Sequence, residues 1–165
     1  MFRAPCGGDT TKSSKYPRSE LRELDRNGKP AAWSSDDDQP HFLKVELAIT
    51  ATPPKKQHVV CAQVHDAEDD VLMIRLEKRK LFVERNSTGD VTLDENYELG
   101  KRVQVTLRAS RGSIAVEYNG EQKLSWKTSR SGCYFKAGCY TQSNPARGDA
   151  AESAGEVMIY RIEVE

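Results

Sequence analysis

Apolar residues recur at every second position in stretch after stretch of this chain, and that period permits little besides β-strands with one buried face. In HFLKVELAIT, Leu43, Val45, Leu47 and Ile49 oppose Lys44 and Glu46. HVVCAQVHD reads as Val60, Ala62 and Val64 on one side and Cys61, Gln63 and His65 on the other. VLMIRLE brings Leu72, Ile74 and Leu76 into register. RVQVTLRAS turns Val103, Val105 and Leu107 away from Arg102, Gln104, Thr106 and Arg108, and EVMIYRIEVE closes the chain in the same manner. SIAVEYNGEQKLSW holds two strands around Asn119-Gly120, a dipeptide suited to a tight hairpin turn. Turn-forming clusters separate these runs at residues 25–28, 34–38, 52–56, 66–70, 86–90 and 143–155. Short strands at this cadence predict an all-β fold, an antiparallel β-sandwich. Residues 1–16 and 143–155 read as tail-like, the second as a loop beside the strand that precedes it.

The 165 residues suffice for one domain with a real core. Lys plus Arg and Asp plus Glu number 25 each. That balance gives no support to a general nucleic-acid binder, yet leaves room for a local basic patch. No apolar run is long enough to span a bilayer, so no membrane partner is expected. MFRAPCGGDTTKSSKYP lacks the basic start and apolar segment of a signal peptide. Cys6, Cys61, Cys133 and Cys139 match no zinc spacing and read as buried or free thiols, with one disulfide between distant strands left open. Cys133 and Cys139 would sit about 20 Å apart on one extended strand, too far to bond. Asp36-Asp37-Asp38 lacks the ligand spacing of an EF-hand and reads as a solvated turn. No metal site is expected.

Three strands carry unusual polar faces. YPRSELREL places Tyr16, Arg18, Glu20, Arg22 and Leu24 on one side. CAQVHD points Gln63 and His65 the same way, an amide and an imidazole above an apolar back. YFKAGCYTQ puts Tyr134, Lys136, Gly138, Tyr140 and Gln142 opposite Phe135, Ala137, Cys139 and Thr141. Taken alone, the first fits a surface strand with weak ion pairs, and a lone histidine such as His65 is more often structural than catalytic. Gathered on one sheet, they would form a surface of cations, amides, one imidazole and one phenol, with Gly138 leaving room for a ligand to approach the backbone.

RSELR at 18–22, QVH at 63–65 and YFKAGCYTQ at 134–142 resemble, in that order, the three signature motifs of the alginate lyases of polysaccharide lyase family 7. The resemblance implies a β-jelly roll, concanavalin A-like, of two antiparallel sheets with a concave polysaccharide-binding cleft. Family members carry several dozen residues ahead of the first motif, whereas residues 1–17 precede it here. The resemblance therefore implies a single domain over residues 1–165 that lacks its N-terminal part, with sheet edges and apolar faces uncovered. Val64 stands where many members have isoleucine, a weak correlate of mannuronate-rich substrate.

The implied reaction is β-elimination. A base takes the C5 proton of a uronate, the 4-O-glycosidic bond breaks, and the product carries a C4–C5 double bond. The neighbouring carboxylate makes that proton poorly acidic, so its charge must be neutralised by preorganised donors. By resemblance, Arg18 and Gln63 hold the carboxylate with help from His65, and Tyr140 carries the proton as base and then acid. For guluronate, whose proton and leaving group lie on opposite sides, His65 becomes the base. Glu20, Arg22, Lys136 and Gln142 are substrate-binding and positioning residues. The resemblance implies no metal or organic cofactor, an anionic polysaccharide (alginate) as partner, a monomer, and an extracellular, secreted location. Alternatives are a lyase on another polyuronate such as glucuronan, or a non-catalytic carbohydrate-binding β-sandwich.

Overall fold

The computed structural model describes residues 1–12 and 14–165. It contains twelve strands: β1 Phe2–Pro5, β2 Arg18–Arg22, β3 His41–Ala51, β4 His58–His65, β5 Asp70–Glu77, β6 Lys80–Glu84, β7 Val91–Asp94, β8 Val103–Ser110, β9 Ser113–Tyr118, β10 Glu121–Lys127, β11 Tyr134–Thr141 and β12 Ala154–Val164. Single 3-10 turns at Asn86–Thr88 and Pro145–Arg147 are the helical pieces among the described residues. The strands form two antiparallel six-stranded sheets. The back sheet runs β1-β12-β3-β8-β9-β10 and the front sheet β2-β11-β4-β5-β6-β7. The fold is thus the antiparallel β-sandwich that the alternation predicts.

The alternation is cleanest in the back sheet. Leu43, Val45, Leu47 and Ile49 of β3 and Val103, Val105 and Leu107 of β8 all enter the core, and their polar neighbours face outward. The β9–β10 hairpin turns at Asn119 (φ 51°) and Gly120 (φ 83°), the two left-handed residues that a type I′ turn requires. In the front sheet β4 is buried along almost its whole length. One of its faces meets the core, while side chains of neighbouring strands cover the other.

Several expectations need correction. Residues 2–5 are no tail: β1 pairs with β12, and the Cys6 and Gly7 amides continue the contact to the Ser153 and Ala151 carbonyls. Segment 143–155 is likewise tied down. Asp149 accepts hydrogen bonds from the Lys55 and Lys56 amides and from the Ser143 hydroxyl, which pins this segment to the β3–β4 turn. On β4 the simple alternation fails, because the register with β5 shifts between Val60 and Ala62. Cys61 and Ala62 both enter the core as a β-bulge, and Val60 moves to the outer face beside Gln63. All four cysteines are buried and free.

At one end of the sandwich Leu21, Leu24, Ile162 and Val164 stay exposed around a groove of about 310 Å³ between β2 and the end of β12. No helix among the described residues is long and apolar enough to cross a membrane.

Candidate active site

Strand order brings the three polar faces together. β11 lies between β2 and β4, and both pairings are antiparallel. Register then fixes who meets whom: Arg22, Lys136 and Gln63 form one row, Glu20 faces Gly138, Arg18 faces Tyr140, and Tyr134 faces His65.

Glu20 is the hub. Its side chain is 4% exposed, yet it reaches Gln63, whose Nε2 donates to its Oε1, and sits 3.6 Å from Arg18 Nη1. The path between β2 and β4 crosses β11 at Gly138, the residue without a side chain. Gly138 also has φ 148°, and a Cβ there would lie 2.7 Å from Glu20 Cα and closer still to the Ser19 carbonyl. The glycine therefore serves the close approach of β2 and the passage of Glu20. Room for a ligand, expected from the sequence, is not what it provides. Burial pushes the Glu20 carboxyl above its usual range, and Lys136, Arg18 and the Gln63 amide pull back against that.

Arg18 lies flat over the Tyr140 ring, its guanidinium carbon 4.0 Å from the centroid. Tyr140 Oη is 2.9 Å from Ser14 Oγ. On the next strand His65 Nδ1 is 2.7 Å from the Asp66 carbonyl. A carbonyl only accepts, so Nδ1 carries the hydrogen and Nε2 of the neutral ring keeps its lone pair. Burial lowers the His65 pKa; the Asp66 carbonyl raises it and Lys136 lowers it further. Burial likewise lowers the Lys136 pKa, with Glu20 opposing and Arg18 and Arg22 assisting. Among the described residues neither Arg22 nor Lys136 has an ion-pair partner.

His65 and Tyr140 stand at opposite ends of this patch. Tyr134, which faces His65, lies six residues from Tyr140 along β11, so at about 3.3 Å per residue their backbones are on the order of 20 Å apart. Gln63 is 1% exposed and lies at the floor. Gln142 is not brought into the cluster: it is buried, with Nε2 3.9 Å from Met73 Sδ. Sequence reasoning missed Tyr134 as a site residue. Its ring stacks on His65 at 5.2 Å and carries the Arg22 guanidinium 3.8 Å from its centroid. Its alternation with Lys136 and Tyr140 was the available signal.

No group of three or more His, Cys, Asp or Glu among the described residues could hold a metal ion. One face of the front sheet thus gathers Arg18, two cations without ion-pair partners among the described residues, a buried amide, an imidazole with a free Nε2 lone pair and a phenol.

The alginate lyase family profile matches residues 1–165. Alginate lyase AlgAT5 of polysaccharide lyase family 7 is similar at 50% identity and TM-score 0.96, over 99% of this chain and 76% of that one. An alginate lyase from Corynebacterium sp. is similar at 36% identity and TM-score 0.94, over 99% and 75%. A variant of family 7 alginate lyase A1-II′, solved in complex with the substrate GGMG, is similar at 26% identity and TM-score 0.79, over 99% and 76%. A search of curated proteins found no match. The chain belongs to the alginate lyase family, and it is a polysaccharide lyase that cleaves alginate.

Proposed function

We propose that the chain breaks the 4-O-glycosidic bond of alginate by β-elimination on the β2–β11–β4 face. The observation that carries this reading is the Arg18–Tyr140 pair, in register and 4.0 Å apart, beside the buried Glu20–Gln63 hydrogen bond.

A uronate laid across the patch presents its carboxylate to Arg18 and to the second N–H of Gln63. These donors offset the charge that builds on the carboxylate as C5 loses its proton. Glu20 fixes the Gln63 amide with its NH2 turned toward β2 and adds charge balance for Arg18 and Lys136. Arg22 and Lys136, both unpaired, attract the polyanion and hold neighbouring sugars. Tyr140 takes the C5 proton, and the guanidinium on its ring face offsets the phenolate charge. The same hydroxyl returns a proton to the leaving oxygen when the two lie on one side, as in mannuronate. For guluronate, His65 Nε2 accepts the C5 proton from the other side of the ring. Gln142 acts indirectly, through its packing on Met73. The partner is thus an anionic polysaccharide, with no nucleic acid or membrane in the reaction. The enzyme works as a monomer and, like its family, outside the cell.

The test is ultraviolet absorbance of the unsaturated product during incubation with alginate. Tyr140→Phe should lose about 10²–10⁴-fold in rate, the usual worth of a general acid–base group. A variant at the wild-type rate would remove Tyr140 from the chemistry. A panel that includes glucuronan separates alginate from other polyuronates.

A further inference from the structure

The segment before β2 is strapped over Tyr140. Thr141 N–H donates to the Pro17 carbonyl, Asn144 Nδ2 to the Lys15 carbonyl and Arg147 Nε to Tyr16 Oη, at 3.2, 3.0 and 3.0 Å. Ser14 N–H donates to the Thr11 carbonyl at 3.1 Å. These contacts fix Ser14 Oγ 2.9 Å from Tyr140 Oη.

The hydrogen-bond capacity of that hydroxyl is nearly spent. Oγ has one hydrogen and two acceptor sites. One acceptor site receives the Tyr16 N–H at 3.1 Å, and the Tyr16 carbonyl lies 3.2 Å away as a possible acceptor for the hydrogen. With Tyr140 as a phenol, the phenol donates to the remaining site on Oγ, and the Ser14 hydrogen points to the Tyr16 carbonyl. With Tyr140 as a phenolate, the Ser14 hydrogen rotates onto Oη. Either state is met by rotation about one bond, and no heavy atom moves.

We propose that Ser14 is a positioning residue for the elimination, holding Tyr140 Oη in place and supplying the hydrogen bond that stabilises it when it has given up its proton. Ser14 itself loses no proton. This inference rests on the reading of Tyr140 as the proton carrier. Hydrogen bonds to charged groups are the strong ones, so the contribution appears in the chemical step. Sugar binding stays with Arg18, Gln63, Arg22 and Lys136.

The experiment compares Ser14→Ala, Ser14→Thr and Tyr140→Phe in steady-state kinetics on alginate. Ser14→Ala should lower kcat about 10- to 100-fold with KM within twofold of wild type. Ser14→Thr, which keeps the hydroxyl, should return kcat to within about threefold. A kcat for Ser14→Ala within threefold of wild type, a loss carried by KM, or a threonine variant no better than alanine would overturn the proposal. Tyr140→Phe separates the two readings. If it is inactive while Ser14→Ala is unaffected, only the Ser14 inference falls; if it keeps full rate, the Tyr140 assignment falls first.

Discussion

The front sheet has two halves built from the same residue types, and they behave differently. On β2–β11–β4, Arg18 and Lys136 share one buried carboxylate, Glu20, and Arg22 has no ion-pair partner among the described residues. On β5–β6, the charge of Arg75 is matched, although its Nε is buried without a partner: Nη2 meets Glu77 Oε1 at 2.5 Å, Nη1 meets Glu84 Oε2 at 2.8 Å, and Nη2 also donates to His58 Nδ1 at 2.9 Å. One half leaves cationic charge unmatched, and the other matches it internally. An arginine on a polar strand face is therefore not by itself a binding residue. What distinguishes Arg18 is a carboxylate supply smaller than the demand.

Removing the two arginines should separate these roles. Arg18→Ala takes away the charge that faces Tyr140 and that we propose holds the substrate carboxylate. It should cost about 10²–10³-fold in kcat/KM per folded molecule, the range for one preorganised charge-stabilising donor, while the Glu20 it strands keeps Lys136 and the Gln63 amide as compensation. Arg75→Ala should do the reverse. It strands Glu77 and Glu84 together on a partly buried face, so stability should fall by about 2–3 kcal/mol, below the range for fully buried pairs because the Arg75 side chain is 17% exposed. Its kcat/KM per folded molecule should stay within about threefold, since no role in the reaction is assigned to it. If Arg75→Ala matched Arg18→Ala in lost activity at unchanged stability, the division of the sheet would be wrong.

This division also marks how far the sequence could be read. Period-two patterning found β3, β8 and β9, which bury one face along most of their length, and also β10 and β12, which bury only part of one. It passed over β1, whose FRAP is too short to show a period and is held by its pairing with β12. β6 and β7, short as well, went unseen for the same reason. The motifs located Arg18, Gln63, His65, Lys136 and Tyr140 because three strands adjacent in space present them on one face. Depth was not legible. Glu20 and Gln63 lie at the floor and Gln142 beneath a neighbour, which depends on how side chains lean across strands. The exchange of Val60 and Cys61 was hidden too, because a bulge on β4 leaves no trace in a run of small apolar residues. The His58–Arg75–Glu77–Glu84 network needs three strands in register, and only the fold supplies that.

The smallest predicted effect probes the charge-matched half through pH. Arg75 donates to His58 Nδ1, so that nitrogen is unprotonated and the ring is neutral. Its 3.5 Å contact with Glu77 is then an N–H donating to a carboxylate, with no ion pair. Burial drives the His58 pKa down to about 4, with Glu77 opposing and Arg75 assisting. The unfolded chain takes up this proton near about 6.5, so folded stability falls as pH drops from there toward 4 and the loss levels off below. The shift corresponds to at most on the order of 3 kcal/mol. Asp70 has the opposite sign. Burial, with Asp69 and Glu84 nearby, raises its pKa to about 6, so the folded state holds a proton that the unfolded state releases, and Asp70 gains stability as pH falls across the same interval. His58→Gln keeps an acceptor for Arg75 and removes the titration. Between pH 6.5 and 4 the wild-type urea midpoint should therefore drop relative to that of the variant, where the Asp70 gain is no longer offset, with activity at neutral pH unchanged. Parallel slopes would mean that His58 is not held neutral by Arg75, and that the β5–β6 half is less self-contained than its contacts imply.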